Sequence, residues 1–257
     1  MFSDSRFPIP DSRLVGVRVL VTRPAQQAEK LCRLIEAEGG VALRLPLLTI
    51  EPVTNFADAQ RRLAGGHGTW IFTSANAVRH AQALIANAWP AQIAAVGPAT
   101  AIALAGAGQQ AALLPVTGAS SDALLEMPEF QDVRGQRLLI VTGEGGLQQL
   151  EQVLTARGAS VERAEVYRRV PLPYPPEAIT GALRKSDVIV VTSAEALEQL
   201  SRLTPEASRL TLFKKTLVVS SARVVEKARE LGFTRAPRIA EPMSDTALCA
   251  ACAPASE

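Results

Sequence analysis

Histidine is nearly absent from this chain: His67 and His80 are the two in 257 residues. Two scattered histidines assemble neither a metal centre nor a Ser-His-Asp triad. Cysteine is as scarce, with Cys32, Cys249 and Cys252, and three cysteines do not make a disulfide framework. Cys249-Ala-Ala-Cys252 has redox or zinc-knuckle spacing, but it lacks a second pair and a nearby histidine, so it reads as a helical tail with two small apolar residues. Charge of one sign is missing too. Twenty-seven basic residues stand against 25 acidic ones, a net charge of +2 without a basic block, which argues against a nucleic-acid surface. No run approaches the ~18 apolar residues of a membrane span. Met1 to Val15 carries charges and prolines but no apolar core, so no signal peptide is expected there and the expected location is cytoplasmic.

What is present begins with Trp70-Ile71-Phe72-Thr73-Ser74-Ala75-Asn76-Ala77-Val78. A short apolar strand ends at a hydroxyl pair, and a helix-prone segment follows. The free N–H groups at such a helix start, with the positive end of its dipole, form an anion site. The design repeats. Thr192-Ser193 follows Val188–Val191 at a separation of 119 positions, Val141-Thr142 echoes Val21-Thr22 at 120, and Val219-Ser220 echoes Val96-Gly97 at 123. Three strand-to-helix junctions recurring in order at one long period indicate two similar α/β halves.

Along the chain, strands are expected at Val17–Val21, Val41–Leu45, Trp70–Phe72, Ile93–Val96, Ala111–Leu114 and Leu138–Val141, then at Val188, Leu217 and Ile239. Helices alternate with them. Pro24 suits a first helical turn; further helices are expected over Ala57–Leu63, from Ala75 to about Asn87, from Pro98 to about Ala105, after Ser120, from Thr142–Gly146 onward, and after Ser244. Such alternation implies parallel sheets covered on both faces. Two extended, proline-bounded segments, Pro46–Pro52 and Val161–Leu172, read as connectors able to hold two lobes across a cleft. The expected division is 1–46 plus 173–257 as a discontinuous first domain, 53–165 as the second, and 47–52 and 166–172 as linkers. Ligands on such sheets bind beyond the carboxyl ends of the strands, where the Thr/Ser/Gly junctions lie.

Gly106-Ala-Gly108 imitates a dinucleotide fingerprint in the reverse context, after a helix and before a strand. Thr142-Gly143-Glu144-Gly145-Gly146 has the right context but lacks a P-loop lysine, and Glu144 would repel phosphate. Each hydroxyl junction taken singly can be a plain N-cap. Several at the same edges of two sheets suit a ligand with many carboxylates. Thr22 stands at one junction, and Arg23 and Arg223 add positive charge near two, where an Arg fork can pair with a carboxylate or simply be solvated. Tyr167, one of two tyrosines, falls on the second connector. It can pack with its ring down and hydroxyl wet, or serve as hydrogen-bond donor or weak general acid.

Val21-Thr22-Arg23-Pro24, Phe72-Thr73-Ser74-Ala75-Asn76-Ala77-Val78, Val96-Gly97-Pro98-Ala99-Thr100, Gly143-Glu144-Gly145-Gly146, Val166-Tyr167-Arg168-Arg169 and Val191-Thr192-Ser193, in that order from about Val17 to Ala247, resemble the uroporphyrinogen-III synthase family. Leu147 stands where many relatives carry arginine, and Ser220-Ser221 replaces a Gly-Pro-type turn. The resemblance implies two flavodoxin-like domains joined by a two-stranded linker. It implies cyclisation of the linear tetrapyrrole hydroxymethylbilane with inversion of its last ring and loss of water, a lyase reaction of porphyrin and haem biosynthesis without a cofactor. Tyr167 matches the family's linker tyrosine, its candidate acid. Ser74, Asn76, Gly97, Thr100, Ser193 and Glu195 match positions that contact the tetrapyrrole, partly through backbone N–H. The expected partner is that small molecule, with transient hand-over from hydroxymethylbilane synthase; neither nucleic acid, membrane nor metal is expected, and a monomer suffices.

This agrees with the residue-level reading, because a substrate with an acetate and a propionate on every ring is served by many helix-start N–H donors. A chain poor in histidine can still direct such a reaction by positioning. The alternative is a non-catalytic two-lobed binding protein for an anionic small molecule. A nucleotide-dependent transferase fails on its glycine contexts.

Overall fold

The computed structural model describes residues 13–85, 89–116, 118, 120–146, 148–241 and 243–254. Ten strands are described: β1 (Arg18–Val21), β2 (Val41–Arg44), β3 (Leu48–Pro52), β4 (Thr69–Phe72), β5 (Gln92–Ala95), β6 (Arg137–Gly143), β7 (Ser160–Pro171), β8 (Val188–Val191), β9 (Thr216–Val219) and β10 (Arg238–Ile239). Between them run α1 (Ala25–Ala37), α2 (Phe56–Leu63), α3 (Ala75–Gln82), α4 (Pro98–Gly106), α5 (Ser121–Leu125), α6 (Gln149–Ala156), α7 (Pro176–Lys185), α8 (Ala194–Leu203), α9 (Glu206–Phe213), α10 (Ala222–Glu230) and α11 (Asp245–Ala251). The chain divides into two compact units, Met1–Thr49 with Pro171–Glu257, and Ile50–Val170.

The first unit holds a sheet of order β10-β9-β8-β1-β2, parallel at every pairing. Its central strands, Val188–Val191 and Thr216–Val219, are buried at every residue. Alternation sorts them: Leu20, Ile189, Val191, Leu217 and Val219 pack into one core, while Val19, Val21, Val188, Val190 and Val218 pack into another on the opposite face. Continuous apolar strands are what two covered faces require.

The second unit repeats the arrangement in the order β3-β7-β6-β4-β5, with β5, β4, β6 and β7 parallel. Trp70, Phe72, Leu139, Val141, Ala164 and Val166 share one core; Ile71, Ala94, Leu138 and Ile140 share the other. The segments read as connectors are β3 and β7, hydrogen-bonded neighbours at the edge of this sheet, and β7 runs for 12 residues. The α/β fold with parallel sheets expected from strand–helix alternation is the fold observed.

Several local expectations need correction. Ala111–Leu114 is not a strand: a single bridge joins Leu113 to Ala94. Pro24 is the N-cap of α1, one position ahead of the helix. Helix α3 stops at Gln82; Asn87 lies outside the described residues. The Thr142–Gly146 turn does not lead straight into a helix, because α6 begins at Gln149 and Leu147 lies outside the described residues. Gly145, at φ 66°, makes a left-handed turn that glycine tolerates at no steric cost.

Candidate active site

The carboxyl edge of the second sheet carries the densest constellation. β4 ends at Phe72, and Thr73 and Ser74 follow. Ser74 is the N-cap of α3, its backbone extended at φ −162° and ψ 160°, and its Oγ accepts the Ala77 N–H at 3.1 Å. Beside it, Thr73 Oγ1 lies 3.0 Å from Thr142 Oγ1, which ties the end of β4 to the end of β6. At the next strand Gly97 caps α4 without a side chain, and Thr100 is buried in that helix's first turn.

Tyr167 reaches this edge through a defect in the sheet. Strict alternation along β7 would turn it away from the face that holds Ala164 and Val166, yet all three belong to one buried cluster. The pairing of β6 with β7 explains it. Thr142 faces Glu165, but Gly143 faces Tyr167, a register shift that passes over Val166. A bulge of this kind re-aims one side chain without dissolving the ladder. The Glu144 N–H donates to the Tyr167 carbonyl at 2.7 Å, pinning the bulge.

Tyr167 is 6% exposed, and its Oη lies 3.2 Å from Ser74 Oγ. Its surroundings are fixed on several sides. The Gly143 backbone lies close against it, the His80 ring centroid is 5.7 Å away at an interplanar angle of 30°, and the Arg169 guanidinium carbon stands 5.9 Å from the ring centroid. Burial pushes the His80 pKa down, and the neighbouring Arg79 charge adds to that. A cation over a phenol face is attracted to it, and more strongly if the phenol loses its proton. The ring is therefore closely packed.

Sequence reading brought Ser74 and Tyr167 forward separately. The structure places their hydroxyls in contact, and adds Gly143, His80 and Arg169, which sequence did not single out as site residues. His80 falls six positions after Ser74 on α3, and Arg169 two after Tyr167 on β7; only the bulge makes both converge on one ring. Asn76, in the first turn of α3, accepts from the Arg79 guanidinium at 3.2 Å.

In the first unit, Ser193 is the N-cap of α8 and accepts the Ala196 N–H at 3.1 Å. The match with Ser74 and Ala77 at the same distance reproduces the internal repeat in atomic detail. Glu195 lies in the first turn of α8, and Arg223 is exposed in the first turn of α10. Thr22 and Arg23 are already engaged. The buried Thr22 hydroxyl donates to the Val190 carbonyl at 2.8 Å, stitching β1 to β8. The Arg23 side chain, 12% exposed, pairs with Asp245 in the first turn of α11.

The three thiols are buried; Cys249 in α11 and Cys252 at its C-cap pack into the core while Ala250 between them is exposed, and burial pushes the Cys252 thiol up to about 12. His67 is also buried, with Nε2 3.3 Å from Glu162 Oε1 but outside hydrogen-bonding geometry. Among the described residues no cluster of three metal-ligating side chains occurs, and no helix is long and apolar enough to cross a membrane. Two cavities of about 280 and 350 Å³, one beside Arg62 and Arg163 and one beside Leu14 and Cys249, contain none of the site residues.

Two largely parallel sheets, with N-capping hydroxyls and glycine at their carboxyl edges and one buried tyrosine packed against Gly143, His80 and Arg169, define a two-unit α/β protein. Comparison with known proteins specifies it. Residues 29–246 match the family model described as uroporphyrinogen-III synthase HemD, and the chain belongs to the uroporphyrinogen-III synthase family. It is 36% identical over 225 residues to the uroporphyrinogen-III synthase of Escherichia coli, covering 84% of this chain and 92% of that one. Against the Synechococcus elongatus enzyme of the same name it is 32% identical over 202 residues, 74% and 75% of the two chains. A crystal structure of mutant uroporphyrinogen III synthase from Thermus thermophilus shares the fold, at TM-score 0.62 and 24% identity, over 90% of this chain and 96% of that one.

Proposed function

We propose that this chain closes the linear tetrapyrrole hydroxymethylbilane to uroporphyrinogen III, inverting the last ring and releasing water. The reaction is an elimination followed by carbon–carbon bond rearrangement, with no net oxidation, so it makes no demand for a redox partner. The Tyr167 phenol donates its proton to the departing hydroxyl. The C–O bond breaks, the adjacent pyrrole nitrogen supplies the electron pair, and water leaves. The resulting azafulvene cation is attacked by the substituted carbon of the last ring, giving a spiro intermediate. That intermediate opens and recloses with the ring flipped, and the proton lost on aromatisation returns to the phenolate.

Ser74, Asn76, Gly97 and Thr100 bind substrate carboxylates at the edge of the second sheet, mainly through N–H groups at the starts of α3 and α4. Ser193, Glu195 and Arg223 belong to the same reading for the first unit, whereas the Thr22 hydroxyl is spent on the Val190 carbonyl and the Arg23 guanidinium on Asp245. Positional control of this sort can supply up to ~7–11 kcal/mol of the barrier, which fits a site poor in titratable groups. The observation that carries the reading is the Tyr167 hydroxyl, held 3.2 Å from the N-capping Ser74 in a chain of this family. Soluble, cytoplasmic action as a monomer and receipt of substrate from hydroxymethylbilane synthase belong to the same proposal.

The test is direct. Hydroxymethylbilane is supplied, the products are oxidised, and porphyrin isomers I and III are separated by chromatography. Excess type III over a protein-free control is the expected result. Type I alone would overturn the proposal and leave a binding protein for an anionic small molecule.

A further inference from the structure

A serine hydroxyl has one proton to donate and two lone pairs to offer. At Ser74 one lone pair is taken by the Ala77 N–H, at 3.1 Å. That N–H belongs to the first turn of α3, where the helix dipole is positive. Accepting from such a donor draws electron density from Oγ, making the serine a stronger donor and a poorer acceptor for its next partner. The next partner is the Tyr167 phenol oxygen at 3.2 Å, and geometry alone allows either atom to donate. Polarisation decides the direction.

We propose that Ser74 is a positioning residue for Tyr167: it donates to the phenol oxygen, so the phenol's own proton points away from the protein and toward the group that leaves. This rests on the proposed function and gives Ser74 a role other than carboxylate binding. When Tyr167 gives up its proton, the phenolate oxygen already accepts a hydrogen bond, and no group has to turn. If the phenol instead donated to Ser74, its proton would be consumed within the protein and a rotation would have to precede the chemistry. Gly143 fixes the ring plane; Ser74 fixes the proton.

The chain offers a clean spectroscopic test because it has two tyrosines. Tyr174, whose hydroxyl donates to the Pro46 carbonyl in the first unit, is replaced by phenylalanine, leaving Tyr167 alone. The tyrosine Fermi doublet in ultraviolet resonance Raman spectra distinguishes an accepting phenol from a donating one. An acceptor-type ratio is expected in Tyr174→Phe and in Tyr174→Phe/Ser74→Thr, and its loss in Tyr174→Phe/Ser74→Ala. A donor-type ratio in Tyr174→Phe overturns the inference. No substrate is involved, so this result stands whatever the isomer assay gives.

Kinetics supply the second readout. Ser74→Ala lowers kcat about tenfold or more, as expected for one lost hydrogen bond at a reacting group, with KM nearly unchanged; Ser74→Thr restores most of it. Ser74→Asp keeps the helix cap but has no proton to donate, so the chain stays folded while kcat falls as in Ser74→Ala. In a Tyr167→Phe background Ser74→Ala costs nothing further. Equal losses in both backgrounds, or full kcat in Ser74→Asp, overturn the inference.

Discussion

A Cβ placed on Gly143 would lie 2.5 Å from Cζ and 2.9 Å from the hydroxyl oxygen of Tyr167. The ring therefore occupies the space a side chain would need, and glycine at 143 is a condition of the tyrosine's position rather than of its own backbone. Gly143→Ala is expected to push the ring off its contacts with Ser74 and His80. Overpacking costs about 1–3 kcal/mol, and turnover falls by more than tenfold because a proton donor displaced by an ångström no longer meets its target. Circular dichroism melts beside the isomer assay check both. Full activity in Gly143→Ala would mean that the tyrosine is not held by this contact.

Tyr167→Phe removes one oxygen and keeps the packed ring. Stability is expected to stay within about 1 kcal/mol, while kcat falls by about 10²–10⁴, the range for loss of a general acid, and KM changes little. Near-complete turnover would relegate Tyr167 to binding or structure.

Arg23 and Asp245 join β1 to the start of α11 across a largely buried site, and Arg23 Nε has no hydrogen-bond partner there. Asp245→Ala leaves a guanidinium without its counter-charge and removes a negative group from a helix start. The expected loss is about 1.5–3 kcal/mol. Arg23→Ala should lower the thermal midpoint similarly, and the double variant should be no worse than either single one. Additive losses would show that the two do not act as a pair.

The thiols give a pH prediction. Burial holds the thiol of Cys252 near 12, against an ordinary value of 9.0, with Cys249 adding to the rise. A group whose folded pKa is raised contributes stability that is complete below its unfolded value and is lost as pH climbs through the folded one. Cys252 should therefore weaken the fold progressively between pH 9 and about 12, and Cys252→Ala should flatten that alkaline decline. Burial raises Cys32 and Cys249 as well, so a thiol reagent near pH 8 should label none of the three until the chain is unfolded. Rapid labelling of native protein would contradict the burial.

The sequence by itself determined the parallel α/β plan, the two halves and the Ser74 and Ser193 caps. These features are local: an apolar run of four residues, a hydroxyl at the break and an amphipathic stripe after it carry their own structural instructions. Val188–Val191 is legible as a doubly covered strand without knowing what covers it, and the Thr73/Thr192 separation reveals a repeat without a coordinate. It also marked Tyr167 as unusual, through its rarity and its place in an ordered set of motifs.

Tertiary structure alone decided which groups touch. Ala111–Leu114 reads as a strand and makes only one bridge, because strand formation needs a partner along its length and Leu113 pairs with Ala94 alone. Arg23 reads as a free charge until α11, more than 200 residues on, delivers Asp245 to it. Tyr167 faces Ser74 because β7 slips by one residue against β6 at Gly143. A register is a property of two strands and their packing, and neither strand's own sequence contains it.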